Sequence, residues 1–258
     1  MIGSPAPRPR RALVALLSGA LVGLTVACAP STYEIAVETR LPPKLDVTPF
    51  QRVLVAGFLV GGDTDVDGNQ ETVRLLRSQL RTKSGLRVLD ADPFSLASVV
   101  REQVAGSTTQ PLPAKIREEK DLEPFTRLFA NTAYWKRVGE EYQQPLIVTG
   151  AIYFTPQTRS GYVTREVEVV DALGRRTVQQ VRTFMERKGY VLHTTVVYLD
   201  GRTGAQLHSD TSKEEVLYPA QQETPALSAY FELMDRVVPG FLSTISAQQV
   251  KGTRVLLP

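Results

Sequence analysis

Eight consecutive apolar residues, Val53-Leu54-Val55-Ala56-Gly57-Phe58-Leu59-Val60, constrain this chain more than any other feature. A strand with one wet face alternates polar and apolar side chains, whereas an unbroken apolar run must be covered on both faces. Residues 53–60 are therefore read as the central strand of a covered sheet. A loop from Gly61 to Asn69 follows, then a helix near Glu71–Lys83 with Val73, Leu76 and Leu80 on one face and Gly85 to end it. Leu86–Leu89 reads as a second strand, and Asp92-Pro93 opens a helix reaching about Val104. Strand–helix–strand–helix order points to an α/β fold.

Residues 106–121 read as a surface loop. Leu122, Phe125, Phe129, Trp135, Val138 and Tyr142 follow helical spacing, which predicts one long helix from Leu122 to Tyr142, stopped by Pro145. Leu146–Phe154 is a long strand. Tyr162–Val170 and Thr177–Met185 flank a turn at 171–176 and form a hairpin; Tyr190–Leu199 and Ala205–Ser209 flank 200–204 and form another. Leu227, Phe231, Met234, Val238, Phe241 and Ile245 mark an amphipathic helix that Pro239 should kink, and Val255–Leu257 a final strand. The expected architecture is a mixed sheet with helices packed on it and antiparallel hairpins in its second half.

The amino terminus calls for a different reading. Arg8-Pro9-Arg10-Arg11 precedes sixteen uncharged residues, Ala12 to Ala27, too few for the ~20 that span a bilayer as a helix. The run ends at Leu24-Thr25-Val26-Ala27-Cys28, which resembles a bacterial lipobox, with Thr25 where the commonest form has Leu. Cys28 is the chain's only cysteine, so no internal disulfide can form, and lipidation explains a lone thiol in an exported protein. Residues 1–27 are expected to be a cleaved export signal. Residues 28–50, with Pro30, Pro42, Pro43 and Pro49, are expected to form an anchor and tether holding a short strand at Tyr33–Val37, and 51–258 one periplasmic α/β domain. The lipobox resemblance implies acylation of Cys28 and partnership with a bilayer. Ala29, in place of Asp, favours the outer membrane by analogy with enterobacterial sorting.

Composition excludes one class of partner. The chain has 30 basic and 27 acidic residues. Arg8, Arg10 and Arg11, with no acid beside them in 1–27, account for the difference, so the remainder is formally neutral. It lacks the electrostatic footprint of a nucleic-acid binder.

Several fragments together resemble CsgG-like and TolB amino-terminal domains. The Val53–Val60 strand, the helix carrying Val73-Arg74-Leu75-Leu76 and the strand Leu86-Arg87-Val88-Leu89-Asp90 look like the opening of those domains. Leu146-Ile147-Val148-Thr149-Gly150-Ala151 is similar to their "llv-x-G-x-i" strand, and Tyr198-Leu199-Asp200-Gly201-Arg202-Thr203-Gly204 to their "v-D-x-x-T-G" hairpin. The likeness covers roughly residues 50–247. It implies a non-enzymatic lipoprotein that assembles or regulates envelope machinery, a group that includes the curli export pore and activators of cell-wall synthases.

Candidate chemistry is sparse. Asp63, Asp65, Asp67 and Gly68 match the first half of an EF-hand loop, but its twelfth position, which must be Glu, is Arg74. The plainer reading is a solvated turn whose carboxylates favour the start of the next helix. A turn centred near Arg202 sets His208 opposite Val196, three residues and about 10 Å from His193 and on the other face, which argues against a shared metal. Neither a Gly-x-Ser-x-Gly elbow nor a phosphate-binding glycine loop is present, and the pairs Glu140-Glu141 and Glu214-Glu215 are adjacent, so their side chains diverge. As a pair of membrane strands the 162–185 hairpin fares poorly. Arg165 and Arg182 interrupt its more apolar faces at up to ~2–4 kcal/mol each in mid-membrane, which favours a soluble or partner-binding hairpin. The expectation is a lipid-anchored periplasmic accessory or scaffold subunit, with no catalytic residue, cofactor or metal, contacting other envelope proteins. An oligomeric export-channel subunit is the rival reading, and a ligand-binding lipoprotein or hydrolase the rival from another class.

Overall fold

A computed structural model gives the arrangement of residues 33–62, 65–105, 112–170 and 172–256. The described residues fall into two units, one comprising Tyr33–Leu41 with Gln249–Leu256, the other lying within Pro42–Gln248. In the smaller, β1 (Tyr33–Leu41) pairs with β7 (Gln248–Leu256), and Lys251 Nζ lies 3.3 Å from Glu38 Oε1. The strand read at Tyr33–Val37 is thus longer, and the chain's last strand is its partner.

The larger unit is an α/β fold around a five-stranded mixed sheet. Its elements are β2 (Arg52–Gly61), α1 (Gly68–Lys83), β3 (Arg87–Val88), α2 (Leu96–Val104), a short α3 (Glu123–Thr126), α4 (Thr132–Glu141), β4 (Leu146–Val170), β5 (Arg176–Asp200), β6 (Gln206–Pro219) and α5 (Ala226–Ile245). The strand order is β3-β2-β4-β5-β6; β2 runs parallel to β3 and β4, and the β4–β5 and β5–β6 pairs are antiparallel. As the unbroken apolar run requires, β2 is buried on both faces. Val53, Val55 and Phe58 enter a core with Leu76 and Leu80 of α1 and Leu233 and Phe241 of α5, while Leu54, Ala56 and Leu59 enter a second with Val100 of α2 and Trp135 of α4.

The change of parity between Val55 and Phe58 has a cause. A bulge skips Ala56, so Val55 pairs with Val148 and Gly57 with Thr149. The Ala56 carbonyl instead accepts from Phe94 N at 2.7 Å, Asn69 Oδ1 accepts from Phe58 N at 2.8 Å, and Asn69 Nδ2 donates to Phe94 O at 3.2 Å. Gly57 sits at φ +151°, and a Cβ there would lie 2.7 Å from Phe94 O, so the bulge needs glycine. One irregularity thereby fixes the start of α1 and the approach to α2.

Four expectations need correction. The helix expected over Leu122–Tyr142 is broken: α3 and a 3₁₀ turn at Arg127–Ala130 precede α4. Asn131 leaves helical geometry at ψ 81° and its side chain accepts from Tyr134 N at 3.1 Å, so it caps a new helix; the Trp135 indole donates to Leu128 O at 2.8 Å. The strand at Leu86–Leu89 shortens to the two residues of β3. β6 runs ten residues past Ser209; its polar stretch Asp210–Glu215 suits an edge strand, where charge discourages further pairing. In the last helix the buried stripe takes Tyr230 and Leu233, leaving Leu227 exposed and Phe231 half-buried.

Candidate functional site

β4 and β5 each run 25 residues in unbroken register, from Leu146↔Asp200 to Val170↔Arg176. Their first half belongs to the sheet. β2 stops pairing with β4 at Tyr153, and β6 stops pairing with β5 at Arg187. Beyond those points the two strands form a ribbon paired, among the described residues, only to itself. Pro156 fits this change: past Tyr153 one side of β4 is an edge, where a missing N–H breaks no ladder. The section from Gly161 to Val170 reaches roughly 33 Å at ~3.3 Å per residue.

Register sorts the ribbon's side chains, because antiparallel partners share a face. One face carries Tyr162 and Phe184, then Thr164, Arg182, Glu166, Gln180, Glu168 and Val178. The Tyr162 and Phe184 rings meet edge to face at 5.4 Å, and the Arg182 guanidinium stands 5.0 Å from the Tyr162 ring centre. They remain 65% and 57% exposed, so this contact organises them without hiding them. The other face carries Val163, Val167, Val169, Val181 and Met185 together with Thr177, Gln179 and Thr183, with Arg165 its one charge between Gly161 and Val169 and their partners. Arg165 and Arg182 therefore lie on opposite faces, the first among the valines and the second beside the aromatic pair.

The turn that closes β5 onto β6 shows what its motif does. Asp200 accepts from Arg202 N at 2.9 Å and Arg202 Nε at 3.0 Å, and Gly204 N donates to Asp200 O at 2.7 Å. Burial raises the Asp200 pKa, but the bonds from Arg202 prevail and hold it below the ordinary carboxylate range. A Cβ on Gly204, at φ +74°, would lie 2.0 Å from Thr132 O, and one on Gly201 2.4 Å from Pro145 O. Asp200, Gly201 and Gly204 thus make a tight turn docked against the ends of α4, a structural role.

The remaining sequence candidates separate. Cys28 and Asp63 lie outside the described residues. Asp67 caps α1, accepting from Gln70 N at 3.1 Å, and Arg74 pairs with Glu71 at 2.6 Å, which matches the helix-start reading of that loop. A bulge between Tyr198 and Leu199 corrects the register near the turn: His208 faces Tyr198, not Val196, while His193 faces Lys213. The histidines are five residues apart along β5 and on opposite faces. His193 Nδ1 lies 2.7 Å from Glu119 Oε1; His208 Nε2 lies 3.2 Å from Asp210 Oδ1. Glu140 and Glu141 are exposed, and Glu215 pairs with Arg159 at 2.8 Å. Among the described residues no group of three or more His, Cys, Asp or Glu could hold a metal ion.

No protein-family model and no curated protein sequence matches this chain. Solved structures that resemble it include the lipoprotein GNA1162 from Neisseria meningitidis, at 15% identity over 74% of this chain and 96% of that one, TM-score 0.32. The PelC dodecamer from Paraburkholderia phytofirmans aligns at 14% identity over 84% and 100%, TM-score 0.38. The LpoB C-terminal domain from Salmonella enterica aligns at 9% identity over 66% and 87%, TM-score 0.28. Bacterial lipoproteins are thus among the neighbours, and none of these three is a CsgG or TolB protein. TM-scores this low mark a loose likeness. Among the described residues no helix is long and apolar enough to cross a membrane, which says nothing of a β-barrel.

Proposed function

We propose that this chain is a lipid-anchored envelope protein, held at the outer membrane by acylated Cys28, that acts without catalysis as an accessory or scaffold subunit. The β4–β5 ribbon is its contact element. The carrying observation is that ribbon: exposed Tyr162, Phe184 and Val178, with both edges unpaired among the described residues. Unpaired backbone groups beside exposed aromatic rings suit strand addition or side-chain docking by a protein partner. The basic-then-apolar leader ending at Cys28 supports the anchor, since two or more acyl chains hold a protein stably.

Photo-crosslinking in cells tests the contact. A crosslinker at Tyr162 or Val178 is expected to give discrete adducts, and one at the exposed Lys83 none. Equal yields would remove the ribbon from the proposal. Cys28→Ser is expected to leave the precursor unprocessed and without acyl label; normal labelling would refute the anchor.

A second reading, an oligomeric export-channel subunit, has an observation in its favour. One face of the ribbon carries the stripe Val163, Val167, Val169, Val181 and Met185, which suits packing between the ribbons of neighbouring copies. Rings of subunits in electron micrographs would support it; a monomer in detergent would count against it.

A further inference from the structure

On the side of the larger unit away from the sheet, α2 and α4 border a groove of about 640 Å³. The helices are antiparallel. At one end Asn131 Nδ2, capping α4, donates to Gln103 Oε1 near the end of α2 at 3.3 Å; at the other, Phe94 before α2 meets Tyr142 after α4, ring centres 6.0 Å apart. The inward faces of both helices, with Val100 and Trp135, fill the core. The groove's floor is a second apolar strip of Phe94, Val99, Tyr134 and Tyr142, each half-buried.

The floor is held in place from both ends. Phe94 is bonded through N and O to the β2 bulge and Asn69. After Tyr142 the chain turns through Gln143 and Gln144, at φ 63° and 56°. The rim is charged: Glu102 stands on the last turn of α2, near the start of the antiparallel α4, with Arg137 in the middle of α4 and Glu141 at its end. All three are exposed.

Shape and charge order together point to an occupant. A channel beside a nine-residue helix is roughly 13 Å long, the length of two and a half turns of α-helix. An open apolar strip between two helices takes the apolar stripe of a third, with anchors at i, i+3 or i+4 and i+7. We propose that this groove receives an amphipathic helix of a partner protein. That helix carries lysine or arginine at its ends, opposite Glu102 and Glu141, and an acidic residue between them, opposite Arg137. The site is separate from the ribbon, so it does not depend on what the ribbon binds.

The test uses the mature full-length chain and two synthetic 14-residue helical peptides with leucine at positions 4, 7, 8 and 11. One carries arginine at both ends and glutamate in the middle; the other has these charges reversed. Fluorescence anisotropy of the labelled peptides is expected to show the first binding about tenfold more tightly. The double variant Glu102→Lys, Glu141→Lys, exposed at both positions, should reverse that preference, and Ser98→Trp, which fills the groove from an exposed position, should abolish binding of both. Equal affinities, no saturable binding, or a preference that survives the double variant would overturn the proposal. So would a change in the protein's own mass in the double variant without peptide, which would seat a second copy in the groove.

Discussion

Replacing Gly139 by alanine tests whether the Asp200–Gly204 turn is docked on α4 as tightly as the geometry requires. Gly139 lies within a helix, where alanine alone would gain about 1 kcal/mol. Its added Cβ, however, would stand 1.7 Å from the Gly201 carbonyl oxygen, 2.4 Å from its carbon and 2.6 Å from its Cα. These are backbone atoms, so no rotamer change relieves the clash. Gly201 cannot simply retreat, because its N–H is bonded to Pro145 O at 3.0 Å. Overpacking costs about 1–3 kcal/mol, and a backbone clash belongs at the upper end. The net loss is then about 2 kcal/mol. Gly240 in α5 is the control: it too is helical, but it is exposed, and nothing lies within 4 Å of where its Cβ would stand. Gly240→Ala should gain about 1 kcal/mol. At about 2–4 °C per kcal/mol for a unit of this size, the variants should melt about 6–12 °C apart. Thermal unfolding followed by circular dichroism reads the gap directly. A Gly139→Ala protein as stable as the parent would show that the turn and helix are not in backbone contact.

Gln143→Gly should stabilise the protein by about 0.5–1 kcal/mol in urea unfolding, since Gln143 occupies the left-handed region at φ 63° where glycine is unstrained; a loss would contradict that backbone assignment. Asp67→Ala should cost about 1 kcal/mol by the same measurement, through loss of the α1 cap, and an unchanged midpoint would mean that the cap contributes nothing. Burial raises the pKa of Asp210, as it does that of Asp200, but bonds from Thr244 and His208 prevail and hold its carboxyl below the usual range. The stability these two acids contribute is present above the unfolded carboxylate pKa and lost as pH falls through their lowered folded values, so Asp210→Asn should be less stable at neutral pH and should flatten the acid limb of a stability–pH profile; an unchanged acid limb would contradict this. Burial, with Glu232 beside it, pushes Tyr218 up to about 12. Its contribution is complete below pH 10 and lost as pH rises toward 12, so Tyr218→Phe should flatten the alkaline limb of a stability–pH profile.

What could be read from the chain alone follows the strength of the local signal. An unbroken apolar run admits few environments, and β2 occupies the expected one. The Val73, Leu76 and Leu80 stripe likewise identifies the buried face of α1. The break that Asn131 makes was hidden, because helical spacing continues on both sides of it. The polar half of β6 carries no apolar alternation, because its neighbours and not its composition make it a strand. The ribbon's two halves were readable as a hairpin. Its continuity with the sheet was not, since Pro156 and Gly161 look like punctuation until β2 is known to stop at Tyr153. The α2–α4 groove was the least legible: Phe94, Val99, Tyr134 and Tyr142 come from segments brought together only by the bulge at Ala56 and the turn at Gln143.

The length of β4 and β5 joins the ribbon to the core physically. A two-stranded ribbon alone is marginally stable in water, and this one exposes both edges over about ten residues per strand. It is held because Leu146–Phe154 and Val191–Asp200 of the same strands lie in the sheet, where Ile147, Val148, Leu192 and Tyr198 are buried. The first residues of the ribbon are anchored from the side: Arg159 pairs with Glu215 of β6 at 2.8 Å, and Phe154 and Tyr190 stack at 5.1 Å just inside the branch point. Order should therefore decline from that branch point toward the turn at residues 172–175, with no separate folding unit between. Amide exchange along β5 should rise steadily from Tyr190 to Arg176. An abrupt step at Arg187 would instead make the ribbon an independently opening element, and its contact face one that is ordered only when bound.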